Sequence, residues 1–186
     1  MTLGEGKAKV YMLLDEHSAG GEVEHDEDIE AKMAFFFDMA QKEVAKIQRI
    51  LHTKRITVTA DKREYRLPED FQGLYRIWKD DKLATGHFRF RGGRLLTDRV
   101  DAGSELLLEY FAIPATITAD TPDDYVFELR EDGCGALPYY VAAQQLLPDL
   151  VMDYSGMLQM YQLALSTLST GLPEESGRTI QRLYRG

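Results

Sequence analysis

The chain has 186 residues, of which 44% are hydrophobic and 28% charged, and a formal net charge of −9. That is the length of one domain with a core large enough to need no staple. The acidic balance excludes a surface basic all round, and the single cysteine, Cys134, excludes an internal disulfide. The charge is uneven: residues 15–30 hold Glu16, Glu22, Glu24, Asp26, Glu27 and Asp28, whereas 42–99 and the end, with Arg178, Arg182 and Arg185, lean basic.

The first helix is predicted to begin near Thr2. Thr2 and Glu5 have the spacing of a capping box, in which hydroxyl and carboxylate each accept from a free backbone N–H. Val10, Leu13 and Leu14 form its apolar stripe, Gly6 weakens it, and Ser18-Ala19-Gly20-Gly21 stops it. A second helix, capped by Asp26 or Asp28, is predicted over 29–51. Its Ile29, Met33, Phe36, Phe37, Ala40, Val44, Ile47 and Leu51 recur at spacings of three and four, which puts them on one face.

After His52 the period changes to two. Strands are predicted at 56–59, 64–67, 74–78, 87–91, 94–97 and 105–113, with Pro68 and Pro114 as stops. Gly92-Gly93 marks a tight hairpin. Residues 125–129 read as a strand or as a loop, and 132–135 as a loop. Leu137-Pro138 opens a third helix, with proline where its missing N–H costs least. A fourth helix is predicted over 150–168, and 172–186 as a flexible tail. The expected architecture is α+β: a bundle of two N-terminal and two C-terminal helices with an antiparallel β meander inserted at about 55–114. Residues 1–171 form the single domain.

No motif carries catalysis, a cofactor or a metal. His17, His25, His52 and His87 lack helical ligand spacing. The run 22–30 lacks the alternating ligands and central glycine of a calcium loop. Cys134, beside Asp132, lacks the positive field that activates a thiol. There is neither a P-loop nor a nucleophile elbow. The hairpin 87–96 is the one candidate surface. Arg89 and Arg91 share a face with His87, and Arg94 follows the turn. It reads either as a phosphate-tracking element or as an edge strand kept soluble by charge. The chain opens without an apolar signal-peptide core, and its apolar runs are short of a membrane span.

The whole pattern resembles bacteriophage head–tail connector or adaptor proteins from prophages of Gram-positive bacteria. The residues that carry it are Leu3 to Asp15 with Gly20-Gly21, Phe36-Phe37-Asp38-Met39-Ala40-Gln41-Lys42-Glu43-Val44-Ala45, Tyr65-Arg66-Leu67-Pro68-Glu69-Asp70-Phe71, and Leu137-Pro138-Tyr139-Tyr140-Val141-Ala142-Ala143 followed by Asp153. In element order it is also similar to tail tubular protein A of short-tailed phages. The resemblance implies a non-enzymatic virion assembly protein of the head–tail junction, made in the bacterial cytoplasm and free of cofactors. It implies a ring of about twelve copies whose partners are itself, the portal protein, a tail or stopper protein and non-specifically passing double-stranded DNA, with no membrane. Arg89, Arg91 and Arg94 are then candidates for facing DNA or a neighbouring subunit. The tail carries helically spaced Ile180, Leu183 and Tyr184 beside Arg182 and Arg185, a candidate for docking on the portal. The alternative is a small regulatory or nucleic-acid-binding module that uses the hairpin.

Overall fold

The capping box expected at Thr2 is formed in the computed structural model, which describes residues 1–17, 27–84, 88–97, 100–146 and 154–168. The Thr2 N–H donates to Glu5 Oε2 at 2.9 Å, and the Glu5 N–H donates to Thr2 Oγ1 at 3.2 Å. This starts α1 (Leu3–His17), followed by α2 (Glu27–Gln48). Because α2 begins at Glu27, Asp28 falls within its first turn and not before it. Asp26 and 18–21 lie outside the described residues.

The apolar stripe of α2 is buried as its spacing requires. Met33, Phe37, Ala40 and Val44 are fully buried, and Phe36 and Ile47 pack at the edge of the same core. The helix stops three residues short of the expected end. Arg49 takes a left-handed φ of 54°, and Leu51 becomes the first residue of β1 (Leu51–Thr57).

α3 (Glu131–Leu146) corrects the expectation for 132–135. These residues are its first turn, and Pro138 lies inside it. The reason is Gln48. Its side-chain carbonyl accepts the Arg130 N–H at 3.0 Å, and its amide donates to Asp132 Oδ1 at 2.8 Å. That contact from α2 fixes the helix start, with Arg130 accepting the first helical bond, from the Cys134 N–H. α4 (Tyr154–Thr167) follows, its Met157 and Tyr161 buried. α1, α2 and α4 all pack on α3.

The remaining strands are β2 (Glu64–Arg66), β3 (Phe71–Lys79), β4 (Lys82–Leu83), β5 (Arg89–Arg91), β6 (Arg94–Leu96) and β7 (Glu105–Ala112). They are antiparallel, but they are not one meander. β1-β7-β3-β4 form one sheet and β2-β6-β5 a second. β1 pairs with the last strand, Ile56 beside Leu106, so the insertion closes on its own ends. The inner faces of the two sheets share a core: Ile56, Ile77, Leu106 and Leu108 from one and Tyr65 and Leu95 from the other, with Val58 and Leu67 directly after β1 and β2. The helical core, centred on Leu3, Phe37, Leu137 and Val141, is separate. Residues 125–129 are irregular apart from a bridge between Val126 and Thr2. Among the described residues no helix is long and apolar enough to cross a membrane.

Candidate functional site

Gly92 and Gly93 set the geometry of the hairpin. Both have positive φ, 55° and 71°, the angles that a two-residue turn matched to strand twist demands. The turn pairs Arg91 with Arg94, Phe90 with Leu95 and Arg89 with Leu96. β2 joins the far side of β6, placing Arg66 beside Arg94 and Tyr65 beside Leu95. Alternation sends Tyr65 and Leu95 into the core. Phe90 shares their face, 40% exposed, and stacks on Phe71 at 6.1 Å between centroids.

The opposite face is cationic. Arg66, Arg94 and Arg91 form a row across the three strands, and Arg89 lies on the same face two residues along. All four are exposed. Like charges on neighbouring strands repel, and only two of them are compensated. Arg94 donates to Glu64 at 2.7 Å and Arg66 to Glu69 at 3.1 Å. Both pairs are open to water and worth under ~1 kcal/mol. Among the described residues Arg89 and Arg91 face no carboxylate within ion-pair distance. A shallow cleft of about 500 Å³ runs beside the turn, lined by Arg66, Pro68, Glu69, Gly92, Gly93 and Arg94. Such a face can hold a row of phosphates or carboxylates by charge without reading sequence.

Arg66 is the member that sequence reasoning missed. Its alternation with Tyr65 and Leu67 marked it as outward, but its place beside Arg94 depends on which strands pair. His87 and the docking candidates Ile180, Arg182, Leu183, Tyr184 and Arg185 lie outside the described residues.

A second polar assembly brings together residues that no sequence spacing links. His52 of β1 has Nδ1 2.8 Å from Asp70 Oδ2 and Nε2 3.0 Å from Glu128 Oε2. The Tyr110 hydroxyl of β7 donates to Asp70 at 3.0 Å. Burial, then the bond to Asp70, push the Tyr110 hydroxyl up to about 12. Both imidazole nitrogens face carboxylates of the chain itself. The assembly ties β1, β7 and the Asp70 loop to the segment entering α3. Cys134 is not the loop thiol expected. It is 3% exposed within α3, its Sγ lies 3.5 Å from the Leu129 carbonyl, and burial pushes the thiol up, away from nucleophilic use. Among the described residues no group of three or more His, Cys, Asp or Glu could hold a metal ion.

No curated protein matches the chain. The family model described as SU10 adaptor protein matches residues 1–182, spanning the helices, both sheets and the cationic face. A match of that extent shows the family: the chain belongs to the SU10 adaptor proteins, structural phage proteins that act through other components of the virion.

Proposed function

We propose that the chain forms a ring at the head–tail junction, between the portal and the tail or stopper protein, and lines the channel through which double-stranded DNA passes. The ring has about twelve copies, as closed cyclic symmetry allows. The observation that carries this reading is the row Arg66–Arg94–Arg91, with Arg89 beside it: an exposed cationic face on a chain whose net charge is −9. Arranged around a channel, such faces hold passing DNA through its phosphates alone. Membership of the SU10 adaptor family supports a structural role among virion components. The work is mechanical and needs no cofactor.

Attachment to the portal falls to the end of the chain, where the sequence spaces Ile180, Leu183 and Tyr184 three and four residues apart beside Arg182 and Arg185. An apolar partner groove is the kind of surface that takes up such a spacing. The test is assembly in cells lacking the gene, complemented by full-length or truncated chain. The full chain restores DNA-filled particles and co-sediments with portal-bearing heads. Truncation after Gly171 abolishes the co-sedimentation. Equal attachment by the truncated chain removes the tail from this role.

The second reading, a free nucleic-acid-binding module using the hairpin, draws on the exposure of Arg89 and Arg91. It requires the isolated protein to bind duplex DNA with a steep salt dependence. The ring reading expects little binding until copies assemble.

A further inference from the structure

The two sheets share a core through their inner faces, so their outer faces point apart. One outer face carries the arginine row. The other belongs to β1-β7-β3. Register places Leu51 beside Phe111, Thr53 beside Glu109 and Arg55 beside Leu107 on that face. β3 adds Arg76 beside Glu109 and Trp78 beside Leu107, and the Tyr75 ring lies 5.5 Å from that of Phe111. Leu51, Tyr75, Trp78, Leu107 and Phe111 are all half-buried, yet they belong to neither hydrophobic core. Both signs of charge border them: Arg49 lies over the Phe111 ring at 5.3 Å, Arg76 over the Tyr75 ring at 4.5 Å, and Arg55 is 3.6 Å from Glu105, which with Asp80 and Asp81 lines a cleft beside Trp78 and Leu107. Aromatic side chains with arginines, continuous over several strands, are the composition of an interface core.

Charge selects the occupant. Residues 50–113 hold 12 basic and 10 acidic residues, a net of +2. The totals of 22 and 31 leave 10 and 21 for the rest, a net of −11. The acidic excess reaches the surface in 120–132. Asp120, Asp123, Asp124, Glu128, Glu131 and Asp132 are exposed there around Val126, itself 61% exposed. Asp120 and Asp124 have no basic partner among the described residues. An apolar centre with a carboxylate border complements an apolar face on which Arg49, Arg55 and Arg76 stand.

We propose that the outer face of β1-β7-β3 is covered by the 120–132 strip of a second copy of this chain. The two patches are different surfaces of one molecule, so the contact is head-to-tail, the type that closes into a ring. The proposal rests on the ring reading above and names its subunit interface.

The test is sedimentation of the full chain over a concentration series at low and high salt, with thermal melting as the fold control. The wild type self-associates, more weakly at high salt. Leu107→Glu on the face, and Asp120→Lys with Asp124→Lys on the strip, each weaken association about tenfold or more while the melt stays cooperative. Arg55→Glu weakens it too, and combining Arg55→Glu with the two lysines restores part of the loss. A wild type that remains monomeric throughout overturns the proposal, as does unchanged association in Leu107→Glu. Loss with Leu107→Glu but not with the lysine pair overturns the strip as occupant. Duplex DNA binding that Leu107→Glu or Arg55→Glu abolishes would give the face to nucleic acid and overturn it as well. Binding of the same variants to portal-bearing heads is scored separately. Heads that take up no wild-type chain sink the junction reading, whereas heads decorated equally by wild type and Leu107→Glu sink only this interface.

Discussion

The Asp70 carboxylate lies 2.8 Å from His52 Nδ1 through Oδ2, and its Oδ1 accepts the Tyr110 hydroxyl at 3.0 Å. One aspartate thereby joins β1 to β7 and to the loop after Pro68, while Glu128 holds the other imidazole nitrogen from the segment that enters α3. Asp70→Ala leaves the histidine and the buried tyrosine hydroxyl short of a partner. It is expected to destabilise the protein by about 1–3 kcal/mol, read as a lower urea midpoint with an unchanged slope. A loss under about 0.5 kcal/mol would mean that the cluster is surface decoration.

The same cluster predicts an alkaline limit. The Tyr110 hydroxyl titrates near 10 when unfolded and is pushed up to about 12 when folded. A group raised in the folded state holds its proton more tightly there. Its contribution is therefore complete below about pH 10 and lost as pH rises towards about 12. Tyr110→Phe has no proton to lose. Across that window its stability should fall less steeply than that of the wild type in parallel denaturation series. Identical slopes would exclude Tyr110 as a source of the alkaline loss.

How much of this was legible in the sequence depends on the range of the interaction. The capping box at Thr2, the Phe37 stripe and the Gly92-Gly93 turn are local, set by neighbours within four residues, and they stand as read. The start of α3 was misread because it is fixed by Gln48, more than eighty residues away in the chain. Pro138 then looked like a first-turn signal when it is interior. The meander failed for a similar reason: nothing in β1 or β7 says that first and last strands pair. The His52 cluster was invisible because its members come from four separate segments. Arg66 was recognisable as outward-facing, but its membership of the arginine row waited on strand order.

Gly133 and Gln48 give a substitution whose sign opposes helix propensity. In a helix Gly→Ala ordinarily gains about 1 kcal/mol. A Cβ at Gly133 would stand 2.5 Å from Gln48 Nε2, inside any permitted contact. Gly133→Ala therefore displaces the amide that fixes the start of α3. It should cost about 1–3 kcal/mol, and Gln48→Ala should cost a similar amount by removing the contacts to the Arg130 N–H and to Asp132. Combined, the two should cost less than their sum, because one contact is lost once. A stabilised Gly133→Ala would show that Gln48 yields freely.

Phe37 tests the helical core. It is fully buried, its ring centroid 5.6 Å from that of Phe127 and its edge 3.0 Å from where a Cβ on Gly6 would stand. Gly6, a weak point of α1 by propensity, makes room for that ring. Phe37→Ala should cost about 3–5 kcal/mol. Gly6→Ala should also destabilise, although it improves the helix. Pairing Gly6→Ala with Phe37→Leu should recover part of the loss, which thermal melts of the single and double variants would show.

The arginine row makes the prediction that separates function from fold. Arg91 and Arg94 pair across the hairpin, and Arg66 stands on the other side of Arg94. Side chains kept for folding would not be arranged with like charges on adjacent strands. Replacing Arg89, Arg91 and Arg94 together by Gln removes that repulsion and one exposed bond to Glu64, opposing effects that are each below ~1 kcal/mol. The isolated protein should melt within a few degrees of the wild type, because a change below ~1 kcal/mol moves a chain of this size little. Particles assembled with the variant should lose packaged DNA, which nuclease-protected DNA per particle would measure. The neighbour contact proposed for the opposite sheet face should survive, because none of the three residues lies on it. A stability loss well above 1 kcal/mol would make the row structural. Full DNA retention in stable, assembled particles would remove the row from the channel.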